Sequence, residues 1–146
     1  MYKFRIIYPG RTKAKFIKEG IEHYIKLLSP YAKVELIELR EGQGNKDRII
    51  YEESKQILNS VKERFILLHI QGQLLDSLEF ANLIRDRALH EFVIGGVYGV
   101  SDKVVDSAFF KLSLSPLTFT HELSRLVLFE QLYRAITIIY GKSYHY

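Results

Sequence analysis

Residues 65–70 read Phe-Ile-Leu-Leu-His-Ile, a nearly unbroken apolar run. A strand with no polar face is covered on both sides, as in parallel sheets flanked by helices. Phe92-Val93-Ile94 has the same character and stops abruptly at Gly95-Gly96. Around these two runs the apolar residues switch to a helical period. Ile17, Ile21, Tyr24, Ile25 and Leu28 share one face of a helix from Thr12 to Leu28, which Ser29-Pro30 ends. Ile49, Ile50, Ile57 and Val61 point inward from a helix over residues 46–62. Asp76, with Glu79 three residues on, predicts a capping box opening a helix that reaches about Ala88. Ser101 opens a short helix carrying Val104, Val105 and Ala108. Thr120 opens a long one to about Tyr140, with Gly141 as its stop. Further strands fall at Phe4–Tyr8, Val34–Leu39 and Leu112–Leu114, and Gln71-Gly72 is expected to end the 65–70 strand. Strands alternate with helices throughout. This predicts an α/β fold with a mainly parallel sheet and helices on both faces, as a single domain over residues 1–146.

Composition narrows the chemistry. A chain of 146 residues fits about one domain. With no cysteine, a disulfide framework, a thiolate metal site, a thiol nucleophile and an iron–sulfur cluster are excluded. No apolar run reaches about 18 residues, so no membrane span is expected. Met1-Tyr2-Lys3-Phe4-Arg5 passes straight into strand-like sequence without an apolar signal region, so a cytoplasmic protein is expected. His23, His69 and His90 lack partners at ligand spacing and read as structural, so no metal site is predicted. The net charge of +4 is unevenly placed. Residues 1–30 hold seven bases and two acids, and the remainder holds 14 bases and 15 acids. Such asymmetry points to a polyanionic partner, while Lys15, Lys18, Glu22 and Lys26 also fit an ordinary solvated helix face.

Ligands of open α/β sheets sit beyond the carboxyl ends of the strands. Gln71-Gly72, Gly95–Gly99 and Ser115–Phe119 are the segments in that position. Ile94-Gly95-Gly96-Val97-Tyr98-Gly99 has neither the dinucleotide-binding glycine spacing nor a Walker Lys-Ser/Thr, so a tight turn and a ligand loop both stay open. Exposed amides beside apolar side chains suit an adenine. The final helix is apolar over more than half its circumference, so it is buried on several sides or packs on a second subunit. His121 with Arg125, and Glu130 with Arg134, interrupt it at helical spacing. An ordinary i, i+4 ion pair is the simplest reading of the second pair. Tyr144-His145-Tyr146 reads as a frayed end or as aromatic and imidazole groups that stack on a base and exchange a proton with it.

Taken in order, several segments closely resemble the RlmH family of SPOUT-class methyltransferases. They are Leu68–Gly72, Phe92–Gly99, Leu112–His121, Arg125, Glu130–Ala135 and Tyr144-His145, together with the Tyr2–Tyr31 opening. The likeness spans essentially the whole chain. It implies a homodimeric enzyme whose sheet carries a C-terminal trefoil knot. The implied reaction is transfer of a methyl group from S-adenosylmethionine to N3 of a pseudouridine in 23S ribosomal RNA, on the assembled ribosome. Within that class, action on another RNA such as tRNA is the alternative, and a non-catalytic ribosome- or RNA-binding protein is the alternative outside it. The resemblance places the cofactor against Leu68, Gly95 and the loop Leu114, Ser115, Pro116, Leu117, Thr118 and Phe119. It places Glu130, Arg134, Tyr144 and His145 near the target base, with His145 the first candidate base, Glu130 the second, and Arg134 on a phosphate or an imidate oxygen. Arg11, Lys13, Lys15, Lys18 and Arg125 are the candidate RNA contacts. Two positions depart from the family: Tyr146 stands where a basic residue often follows the histidine, and Tyr98 where Asn or Glu is frequent.

Overall fold

A computed structural model describes every residue from Met1 to Tyr146. Five strands form one sheet: β1 (Tyr2–Pro9), β2 (Ala32–Leu39), β3 (Phe65–Leu74), β4 (Leu89–Val93) and β5 (Phe110–Ser113). They lie in the order β2-β1-β4-β3-β5, and every pairing is parallel. Five helices connect and cover them: α1 (Lys15–Leu28), α2 (Lys46–Ser60), α3 (Ser77–Arg85), α4 (Asp102–Ser107) and α5 (His121–Ile139).

The period-2 alternation of the central strands divides the core in two. Phe4, Ile6, Tyr8, Ile66, Phe92 and Ile94 face α1, α3 and α5. Ile7, Phe65, Leu67 and Val93 face the other way, onto Ile57 of α2 and Val104 of α4. Both sets are buried, so Phe65–Leu67 and the 92–94 run carry no polar face, but the expected double cover stops there: Leu68 and His69 are half-buried and Ile70 is exposed. Helix α5 packs against α1 on one flank and α3 on the other, which accounts for its broad apolar circumference. The expected caps are present. Asp76 Oδ1 accepts from the Glu79 amide while Glu79 Oε1 accepts from the Asp76 amide, and the Ser101 and Thr120 hydroxyls accept at the starts of α4 and α5.

Two expectations are corrected here. Gly72 does not end its strand, because β3 continues to Leu74 alongside β5. The ladder slips between Leu68 and Gln73, both of which oppose Leu112. A Cβ on Gly72 would stand 2.7 Å from the Lys111 carbonyl carbon and oxygen, so this glycine is needed for two backbones to approach. In α2, of the four residues expected inward, only Ile57 is fully buried. Glu53 and Ser54 are the other buried residues of that helix.

Candidate active site

The middle of β3 and the ends of β4 and β5 converge on one cavity of about 710 Å³. Its walls are Leu68–Ile70, the turn from Ile94 to Val100, the loop from Leu112 to Thr120, and His121 and Ser124 of α5. That volume falls within the ~300–1,000 Å³ of small-molecule sites. Of the eight cofactor positions implied by resemblance, Leu68, Gly95, Leu114, Ser115, Leu117, Thr118 and Phe119 line this cavity. Pro116 does not; it is exposed on the outside of the loop. Several amides here are already used, among them Gly99 donating to the Gly96 carbonyl and Leu117 to the Ser115 hydroxyl. The amides of Gly95, Thr118 and Phe119 donate to no protein group. Free amides in a wall that also carries the Leu114 and Phe119 side chains suit the edge and faces of a purine, so the residues fit an adenosyl cofactor.

Sequence reasoning passed over two residues of this wall. His69, read as structural, lines the cavity, with Nδ1 accepting from the Gln71 amide at 3.1 Å. His121 lines it too, and burial, reinforced by the Arg125 charge, holds its pKa below the ordinary histidine value. His121 follows directly on the Thr120 cap, which was the available signal, whereas His69 lies within β3 and carried none.

A second polar group forms where the chain end folds back on α5. Gly141 adopts φ +67°, a conformation open to glycine, and turns the tail toward the helix. Arg134 donates to Glu130 Oε1 from Nε at 3.0 Å and from Nη2 at 2.5 Å. Tyr144 Oη donates to the same oxygen at 3.3 Å, and Gln131 Nε2 donates to Oε2 at 2.9 Å. Arg134 Nη1 faces His145 Nδ1 at 3.1 Å, and its guanidinium lies 4.8 Å from the Tyr144 ring centroid. The four residues singled out as catalytic are thus brought together. The Glu130 contact raises the Arg134 pKa. Burial, then bonding to Tyr24, raises that of Tyr144, so the phenol stays protonated. Since guanidinium only donates, His145 Nδ1 is the acceptor, and a neutral ring then carries its proton on Nε2. Both Glu130 oxygens are engaged within the protein. Ten residues separate Ser124 from Arg134, about 15 Å along a helix at 1.5 Å per residue. The cluster and the cavity of one chain therefore stand apart along α5.

The candidate RNA contacts divide. Arg11, Lys13 and Lys18 line a second cleft of about 690 Å³, beside Arg40 but also Glu22, Glu38 and Glu41. Lys13 Nζ is 3.0 Å from Glu41, and Lys15, outside that cleft, is 3.8 Å from Glu19. Arg125 is corrected: it is fully buried and cannot reach a phosphate on the surface. Its Nη2 donates to the Pro9 carbonyl at 2.8 Å and its Nη1 to Thr12 Oγ1 at 3.0 Å, and its guanidinium stacks 3.8 Å from the Tyr8 ring centroid. Burial and the nearby Glu38 push the Tyr8 pKa up to about 12. Part of the N-terminal charge is likewise internal, because Arg5 is buried against Glu91. Nowhere do three or more His, Asp or Glu side chains gather as a metal site.

A family model described as "Predicted SPOUT methyltransferase" matches residues 2–145. The chain belongs to this family. Among SPOUT methyltransferase relatives, one from Thermodesulfovibrio yellowstonii, named ribosomal RNA large subunit methyltransferase H, is 70% identical over 146 residues and covers all of both chains. One of the same name from Kosmotoga olearia is 41% identical over 152 positions, covering 97% of each. The crystal structure of tRNA (m1G37) methyltransferase from Aquifex aeolicus shares the fold, with a TM-score of 0.58 at 16% identity over 91% of this chain and 69% of that one.

Proposed function

We propose that this SPOUT methyltransferase transfers the methyl group of S-adenosylmethionine to N3 of a pseudouridine in large-subunit ribosomal RNA, acting in the cytoplasm on the assembled ribosome. The observation that carries the reading is the cavity beyond β4 and β5, whose wall combines apolar side chains with the free amides of Gly95, Thr118 and Phe119. The names of relatives at 70% and 41% identity supply the ribosomal substrate. N3 of pseudouridine is the finer part of the proposal and rests on the resemblance.

The cofactor supplies an already activated methyl group. The protein's task is alignment and exclusion of water, which is worth about 7–11 kcal/mol where reactants are well oriented. The N3–H is a weak acid, so charge developing on the imide needs either a proton acceptor or donors at its oxygens. Glu130 holds Arg134, and Arg134 holds the His145 ring. In this arrangement His145 Nε2–H is a donor for an imide oxygen, and Tyr144 Oη–H becomes one only by leaving Glu130 Oε1. Action of His145 as the base requires Nδ1 to exchange Arg134 for the substrate proton.

The separation of cluster and cavity along α5 supports a homodimer, in which one chain's tail reaches its partner's cavity. The rim of the cavity supports it too: Val97 is 71% and Leu117 74% exposed, with Ile70 and Tyr98 beside them. The proposal extends to the trefoil knot. β5 lies at the sheet edge, yet α5, seven residues later, packs centrally between α1 and α3. A chain cut between Ser115 and Thr120 that refolds as readily as the intact one would refute the threading. Arg11, Lys13, Lys15 and Lys18 are proposed to dock ribosomal phosphates. Changing the three lysines to Glu should weaken ribosome binding in a salt-dependent way, and unaltered binding removes that role.

The deciding experiment is mass spectrometry of ribosomal RNA from cells lacking the protein. One methyl group should be missing from a pseudouridine and return with the wild-type gene. It should not return with His145→Ala, whose purified protein still binds S-adenosylmethionine. A fully methylated RNA from the deletion strain overturns the assignment.

A further inference from the structure

We propose that Glu53 is the counter-charge for the methyl donor: a buried carboxylate behind Gly96 that makes the cavity favour a cationic ligand over a neutral one. The inference rests on the reading of that cavity as a donor site.

The cavity wall contains no Asp, Glu, Lys or Arg, and its only titratable side chains besides Tyr98 are His69 and His121. A sulfonium donor brings a positive charge into this space and loses it when the methyl group leaves. A cation taken out of water needs a compensating charge nearby. Glu53 stands in that place. It is 4% exposed, at the middle of α2, and forms no ion pair. Its Oε2 accepts from the Gly42 amide at 3.0 Å, while Oε1 is buried without any hydrogen-bond partner. A Cβ on Gly96 would lie 2.6 Å from that Oε1. The unpaired oxygen is therefore separated from the cavity by one glycine, and any side chain there would drive the two apart.

A carboxylate buried in this way is costly to the fold, and packing alone would favour an apolar residue. Burial raises the Glu53 pKa, and the charges of Glu41 and Glu52 push it in the same direction. No Lys or Arg relieves this. A cationic ligand on the far side of Gly96 would, and the relief would end when the product becomes a neutral thioether. The same group thus promotes entry of the donor and release of the spent cofactor.

Calorimetric titration of the full chain with S-adenosylmethionine and with S-adenosylhomocysteine tests this. Glu53→Gln keeps the shape and the acceptor for Gly42 but removes the charge. Its affinity for the sulfonium should fall about tenfold, the effect of one charge acting across a partly buried site, with the affinity for the thioether unchanged. Equal weakening of both ligands marks Glu53 as merely structural and overturns the proposal, as does no change in either. Glu53→Asp, which retains the charge, is the second variant and should keep most of the wild-type preference; loss of that preference also overturns the proposal. Wild-type protein that binds neither ligand would refute the donor reading of the cavity itself, a result distinct from an unselective Glu53→Gln protein.

Discussion

Replacing Gly72 by alanine tests the link between sheet register and cofactor site. The added Cβ meets the Lys111 carbonyl group at 2.7 Å and the Leu112 carbonyl carbon at 2.8 Å. These are backbone atoms, so the clash is relieved only by moving β3 and β5 apart. Forcing an extra carbon into a packed site costs about 1–3 kcal/mol. The stiffer unfolded chain returns about 0.4–1 kcal/mol. The net loss is about 1–2 kcal/mol, or about 3–6 °C in Tm for a domain of this size. Because β5 runs straight into the loop that lines the cavity, affinity for S-adenosylmethionine should fall as well. Thermal melting followed by circular dichroism, with calorimetric titration of the donor, reads both effects. Gln71→Ala, at the exposed neighbouring position, is the control and should stay within about 0.5 kcal/mol of wild type. A Gly72→Ala protein that melts at or above the wild-type temperature and binds the donor normally would show that the two strands do not meet as described.

Three further outcomes are expected. Arg5→Met leaves the Glu91 carboxylate, 1% exposed, buried without its cation and should cost about 3–5 kcal/mol in urea unfolding, whereas Arg5→Met with Glu91→Gln should cost less than the two single changes together. Burial lowers the His90 pKa, with Nε2 held between the Ile84 and Arg87 carbonyls. The unfolded chain therefore binds the proton more readily, and stability present above about pH 6.5 should be lost as the pH falls below it. Melting temperatures from about pH 7.5 to about pH 5 should show this slope, and His90→Gln should flatten it. Asp76→Ala removes one half of the capping box and should cost about 1 kcal/mol, while Tm unchanged within error would mean that the α3 start is held by packing alone.

The layers of this fold were legible because doubly covered strands and capped amphipathic helices leave strong local patterns. Phe65–Leu67 and Phe92-Val93 announced a parallel sheet, and Asp76, Ser101 and Thr120 marked helix starts that the structure uses. What stayed hidden depended on partners distant in the chain. Gly72 looks like a strand breaker until β5 is laid beside it. Arg125 looks like a surface base until Pro9, 116 residues away, accepts its hydrogen bond and Tyr8 covers it. Glu53 falls on the same stripe as Ile50 and Ile57, a placement that marks it as unusual, but helical patterns treat a glutamate as solvated by default. The joining of Tyr144 and His145 to Glu130 and Arg134 was proposed from resemblance. The turn at Gly141 is what makes it sterically available.

The seating of α5 has a consequence for biosynthesis. Phe4, Ile6 and Phe92 lie on a sheet face that only the last large helix completes. Until the ribosome has released the final two dozen residues, the nascent polypeptide carries an uncovered greasy surface. Contacts between the two ends of the chain are slow to form, so chaperone protection should matter most until α5 is complete, and a message truncated within the codons for α5 should yield an aggregate rather than a weakened enzyme.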